Sequence, residues 1–104
     1  MMLLLNIDYV PGKEVEPLGL VKGTVVQSKN FGKDFMAGMK TLVGGEIVGY
    51  TEMLTEARAI ATKRMVDAAE ELGADAIIGL RYASSSLMQG AAEVMAYGTA
   101  VKFV

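Results

Sequence analysis

The stretch TEMLTEARAIATKRMVDAAEELGADAIIG, Thr51 to Gly79, decides the fold. Leu54, Ala57, Ala61, Met65, Ala68 and Leu72 advance by three or four residues, the spacing of one face of an α-helix, and Gly73 ends the run. Lys63 and Asp67, at i and i+4, belong to the opposite, wet face with Glu70 and Glu71 beyond them. Ala57, Ala59, Ala61, Ala68 and Ala69 are small enough to let the helix backbone come close to its support, which predicts a sheet beneath it. The turn Gly73-Ala74-Asp75 then leads into a strand over Ala76 to Ser86.

Working outward, Leu87 to Gly90 reads as a loop and Ala91 to Val104 as a last strand. Towards the N-terminus, Asn30 can cap a helix running to about Val43, with Phe31, Phe35, Met39 and Leu42 on one face and Gly44-Gly45 as its stop. Leu3 to Val10 and Leu18 to Ser28 are aliphatic, β-branched runs joined by the proline-bounded loop Pro11 to Pro17, which predicts two antiparallel strands. The order β-β-α-α-β-β predicts a single α+β domain over residues 1–104: a two-layer arrangement of an antiparallel four-stranded sheet with two helices on one face.

Such a sandwich leaves one face of its sheet bare, and the composition says how it is covered. Apolar residues make up 52% of the 104 residues, charged residues 21%, and mean hydropathy is +0.35. Leu20, Lys22, Thr24 and Val26 alternate with Val21, Gly23, Val25 and Gln27, and Val94, Ala96, Gly98 and Ala100 with Met95, Tyr97, Thr99 and Val101, so neither face becomes uniformly polar. The surplus predicts a homo-oligomer in which neighbouring strands cover the face by edge pairing or face packing.

Several functions are excluded on composition. Ten basic residues against twelve acidic ones give a net charge of -2, and the basic residues are scattered, Lys63 and Arg64 alone being adjacent, with no stripe for a phosphate backbone. About eleven residues, Tyr82 to Ala92, form the longest run without a charge, well short of the roughly 20 apolar residues of a membrane span. The opening Met1-Met2-Leu3-Leu4-Leu5 lacks the basic residues and cleavage site of a signal peptide, and a cytoplasmic protein is expected. With no Cys and no His, disulfides, zinc sites of the usual kind, thiol nucleophiles and histidine-based triads are ruled out; no cofactor or metal is expected. Of the eight Met residues, Met36, Met39, Met53 and Met65 recur at helical spacing beside other apolar residues, as core filling does.

The remaining candidates each have a plain structural reading. Gly44-Gly45 and Gly73 read as helix stops, because no Gly-x-Gly-x-x-Gly or Lys-Ser/Thr follows. Asp34, Glu46, Glu52 and Glu56 could hold a hard cation or do acid–base work, and acids in a first helical turn equally complement the macrodipole. Arg58, among small residues, is the pattern of a salt bridge within or between chains, or of an anion site. Ser84-Ser85-Ser86 has no base beside it, and Tyr50 and Tyr97 read as half-buried.

Taken in order, Asn30 and Asp34, Val43-Gly44-Gly45, Tyr50, Ala57-Arg58, Leu72 to Gly79 and Gly98 to Val101 resemble the YbjQ-like family of uncharacterised proteins, over essentially the whole chain. The resemblance implies a dodecin-like fold in ring-shaped homo-oligomers, commonly pentamers, and carries a heavy-metal-binding label. Two departures stand out: Glu46-Ile47 follows the double glycine where the family commonly has Arg-Ser, and Leu80-Arg81-Tyr82 replaces an aspartate-rich strand start. The expected function is a non-catalytic module binding a small ligand or ion, with Asn30, Asp34, Tyr50 and Arg58 as ligand residues. A structural scaffold and a carboxylate enzyme using Asp34 and Glu52 are the alternatives.

Overall fold

The computed structural model describes residues 1–28, 42–43, 46–88 and 90–104. Its elements run β1 (Leu3–Leu4), β2 (Val15–Ser28), β3 (Leu42–Val43), β4 (Glu46–Ile47), α1 (Val48–Glu71), β5 (Ala76–Met88) and β6 (Ala91–Phe103). The main sheet has the order β1-β5-β6-β2, and β3 and β4 form a separate antiparallel pair.

The α+β class holds, with three corrections. First, the sheet is mixed, because β1 runs parallel to β5, Leu3 opposite Ala76 and Leu4 opposite Ile77. The expected first strand, Leu3 to Val10, contracts to two residues and does not pair with β2; β2 pairs with β6 along its whole length. The rest of that apolar run passes beneath the sheet, where Val10 packs with Ala76 and Val101 in a small second core joined by Leu5, Val15 and Phe103. Secondly, Leu42 and Val43, expected in the last turn of a first helix, are strand residues paired with Ile47 and Glu46; the rest of that expected helix, residues 30–41, lies outside the described residues, which contain one helix. Thirdly, α1 begins at Val48, and its innermost line is Met53, Ala57, Ala61, Met65 and Ala69, each four residues on. Leu54 and Ala68 are half-buried, and Leu72 lies past the helix end, 49% exposed.

That line of small residues works as the composition suggests. A Cβ on Gly23 of β2 would collide with the Ala61 carbonyl oxygen and lie 2.8 Å from Arg64 Cβ, so helix backbone rests directly on strand backbone. Val21, Val25, Ile77, Val94, Ala96 and Ala100 complete the main core. The helix ends in a Schellman motif: Gly73, at φ +77°, donates its N–H to Glu70 O at 3.0 Å, and Ala74 donates to Ala69 O at 3.1 Å. Asp75 then ties the turn to β6, its N–H donating to Val101 O at 2.8 Å and its carboxylate accepting the Phe103 N–H at 2.8 Å.

β5 carries a bulge. Ile78 faces Thr99 and Arg81 faces Tyr97, so Gly79 and Leu80 together oppose Gly98. Gly79 has φ +63°, which only glycine adopts cheaply, and its N–H donates to Ile7 O at 2.7 Å while that of Leu80 donates to Leu5 O at 3.0 Å. Beyond the bulge, Arg81 to Met88 is exposed throughout and leaves its outer edge without a strand among the described residues. The outer edge of β2 is open in the same sense. Strands this long make the molecule elongated: extents are 53 × 25 × 20 Å and the radius of gyration is 16.8 Å, against about 13 Å for a globular chain of this length.

Candidate functional site

The shallow space between α1 and the distal half of β5 is a groove of about 120 Å³ lined by Leu54, Arg58, Tyr82, Ala83, Ser84 and Val94. Helical spacing brings Leu54, Arg58 and Thr62 along one flank of α1. The β5 bulge brings Tyr82 and Ser84, opposite Ala96 and Val94, onto the helix side of the sheet. Thr62 spends its hydroxyl proton on Arg58 O at 2.7 Å, so the 2.7 Å contact between the Thr62 and Tyr82 hydroxyls has Tyr82 as donor. That bond fixes one wall.

Arg58 differs from the other two guanidinium groups. Arg64 Nη1 donates to Thr24 O of β2 at 2.6 Å, and Arg81 Nη1 to Asn6 O at 3.1 Å, each tying two segments together. Among the described residues Arg58 Nη2 reaches only Thr55 Oγ1, one turn back on its own helix, at 3.3 Å. Its neighbours at three and four residues are Leu54, Thr55, Ala61 and Thr62, none of them acidic. Among the described residues the ion pair is Lys63–Asp67, 3.1 Å long and exposed on both sides.

Of the residues expected to bind ligand, Arg58 lines the groove. Tyr50 is half-buried in the first turn of α1, eight residues and about 12 Å of helix axis before Arg58, and does not line it. Asn30 and Asp34 lie outside the described residues. Glu52 and Glu56 are exposed on α1, and no group of three acids able to hold a metal exists among the described residues. Ser84 and Ser86 face the helix side and Ser85 the other, all exposed. Tyr82 was not singled out in the sequence; the signal that finds it is the glycine at position 79, which shifts the strand's alternation. A second, larger groove of about 460 Å³ runs along Glu56, Ala59, Ile60, Lys63, Arg64 and Asp67, where Lys63 is held by Asp67 and Arg64 by the strand carbonyl.

A helix laid by its alanine face on a four-stranded mixed sheet defines a two-layer α+β domain. The chain belongs to the YbjQ family, whose model, described as "Putative heavy-metal-binding", matches residues 2–104. It is 62% identical over 103 residues to a UPF0145 protein of Clostridium novyi, covering 99% of this chain and 100% of that one. It is 63% identical over 103 residues to a UPF0145 protein of Alkaliphilus metalliredigens, with the same coverage. A crystal structure of a protein of unknown function, of the DUF74 family from Pediococcus pentosaceus, superposes with a TM-score of 0.68 over 99% of this chain and 98% of that one. At 17% identity that likeness concerns the fold.

Among the described residues the donor atoms do not fit the heavy-metal description. Soft metals select thiolate, thioether and imidazole, and the sequence contains neither Cys nor His. The thioethers of Met53 and Met65, 4% and 0% exposed, are packed into the helix–sheet core.

Proposed function

We propose that the chain is a non-catalytic subunit of a cytoplasmic homo-oligomer, a pentameric ring of dodecin-like subunits, whose intersubunit clefts hold a small ligand or ion. The pair of open sheet edges carries this reading. An exposed edge is a row of unpaired N–H and C=O groups that invites another strand, and β2 offers one over fourteen residues while β5 offers another over Arg81 to Met88. These are two different edges. Joining one to the other in the next copy is a head-to-tail contact, which closes into a ring when the rotation permits.

Exposed apolar side chains supply the driving force for such an assembly. Leu20 and Val26 on the uncovered face are 73% and 58% exposed, and Leu87 and Met88 at the hairpin end are 51% and 69% exposed. No helix among the described residues is long and apolar enough to cross a membrane, which is compatible with a cytoplasmic ring.

Native mass spectrometry on untagged protein tests the reading, since a histidine tag would add the ligands this chain lacks. A ring-sized oligomer carrying a stoichiometric extra mass is the expected result. A bare ring would move the function to a structural scaffold, and a monomer at working concentration would refute the assembly.

A further inference from the structure

The groove between α1 and β5 carries an excess positive charge with no counter-charge beside it among the described residues. Its lining, Leu54, Arg58, Tyr82, Ala83, Ser84 and Val94, contains one cation and no acid. Among the described residues, Lys63 has Asp67 as partner, Arg64 has Thr24 O, Arg81 has Asn6 O, Lys102 has Gly73 O, and Lys13 sits 5.2 Å above the Phe103 ring. The larger groove, with two acids and two cations, is neutral within itself. The basal one, of about 220 Å³ beside Met1, Met2, Glu70, Ala74, Asp75 and Phe103, is acidic, and its Asp75 is engaged by the Phe103 N–H.

We propose that Arg58 and Ser84 form a site for a small anion, a phosphate or carboxylate group, bound over the edge strand. The proposal rests on the binding-module reading and names the chemical class of its ligand. A guanidinium presents five N–H donors in a planar fork suited to two oxygens of one anion, and Thr55 occupies one of them weakly, at 3.3 Å. Ser84 Oγ, across the groove, adds a hydroxyl donor. Tyr82 is a wall and not a donor, since its proton goes to Thr62. The volume, about 120 Å³, is on the order of four water molecules at about 30 Å³ each, which suits a phosphate or a terminal carboxylate and not a nucleotide. Leu54 and the buried Val94 make one side of the groove apolar, which strengthens a charge-assisted bond at the open side.

Calorimetric titration of untagged protein with inorganic phosphate and, separately, succinate at low ionic strength tests this, with native mass spectra taken on the same samples. Saturable binding of one anion per chain is expected. Arg58→Gln should weaken it at least about tenfold, Arg58→Lys by an intermediate factor because the fork is lost while the charge stays, and Ser84→Ala by about two- to threefold. Lys63→Gln, outside the groove, should leave it unchanged. The circular dichroism spectrum of each variant separates loss of binding from loss of folding, and the lysine variant preserves the test where the glutamine variant fails to fold. An intact ring with no saturable anion, or with binding unchanged in Arg58→Gln, would overturn this proposal while leaving the assembly standing. A ring that falls apart in Arg58→Gln and takes up no anion as wild type would assign the guanidinium to an acid of a second copy, and overturn it as well. A monomer that binds phosphate through Arg58 would support the site and refute the ring.

Discussion

Adding one methyl group at Gly23 should destabilise this core although it removes no contact from it. The new carbon in Gly23→Ala would collide with Ala61 O and approach Arg64 Cβ to 2.8 Å, where comfortable carbon contacts begin near 3.5 Å. The obstacles are the backbone and first side-chain carbon of a 24-residue helix, not the free end of a side chain, so they cannot rotate away. The helix must lift by more than about half an ångström, and a gap of that size forfeits about a quarter or more of each dispersion contact along Ala57, Ala61, Met65 and Ala69. Overpacking of this kind costs about 1 to 3 kcal/mol, while replacing glycine recovers about 0.4 to 1 kcal/mol by restricting the unfolded chain. The net expectation is a loss of about 1 kcal/mol, read in urea denaturation at fixed protein concentration as a midpoint lower by about 0.5 M with an unchanged slope. A midpoint equal to or above that of the wild type would refute the claim that strand and helix backbones touch at this position.

Met65→Ala, at a residue with 0% exposure, should cost about 3 kcal/mol and lower the melting temperature by more than 10 °C; a shift of a few degrees would mean that the helix–sheet layer collapses into the space. Asp75→Ala leaves the Phe103 N–H without its acceptor and should cost about 2 kcal/mol in the same assay, with Asp75→Asn losing less. Lys63→Ala should change stability by less than about 0.5 kcal/mol, because its ion pair with Asp67 is exposed and solvated; a larger loss would show a second role for that lysine. Titrating untagged protein with zinc or cadmium should give no saturable tight binding, measured by calorimetry, since no thiolate or imidazole is present.

The helix was legible because its alanines and methionines repeat at the right spacing and Gly73 terminates it. Its inward line was less so: Leu54, Ala68 and Leu72 are larger or as apolar as their neighbours, and the stripe one position away, with Met53 and Ala69, is the one that fits against Gly23. The strands β5 and β6 could be read locally as a hairpin. The N-terminal run could not, because Leu3 to Val10 has the composition of a strand and its neighbour in the sheet is set by a contact some seventy residues away. Only Leu3 and Leu4 find ladder partners, and Val10 is buried by wrapping under the sheet. At the site, Arg58 was visible as an arginine among small residues. What it faces depends on which way Tyr82 and Ser84 point, and that is decided by hydrogen bonds from Gly79 and Leu80 to the N-terminal segment.

The bulge at Gly79 and Leu80 therefore acts as a parity switch for everything distal to it. Residues 77 and 82 share the helix side of β5 although five positions separate them, an odd interval that an uninterrupted strand forbids. Removing a single residue there would restore regular alternation and leave Tyr82 and Ser84 on the helix side, whereas pairing the full-length strand without the bulge would exchange the two faces of Arg81 to Ser86: Arg81 and Ala83 would turn towards α1, and Tyr82 and Ser84 away from it. One slip of register, with no substitution at all, would replace the hydroxyls opposite Arg58 by a second guanidinium and convert an anion-sized groove into a site of charge repulsion. In this fold the chemistry of the edge strand depends on one extra residue being absorbed in the bulge as much as on the strand's composition.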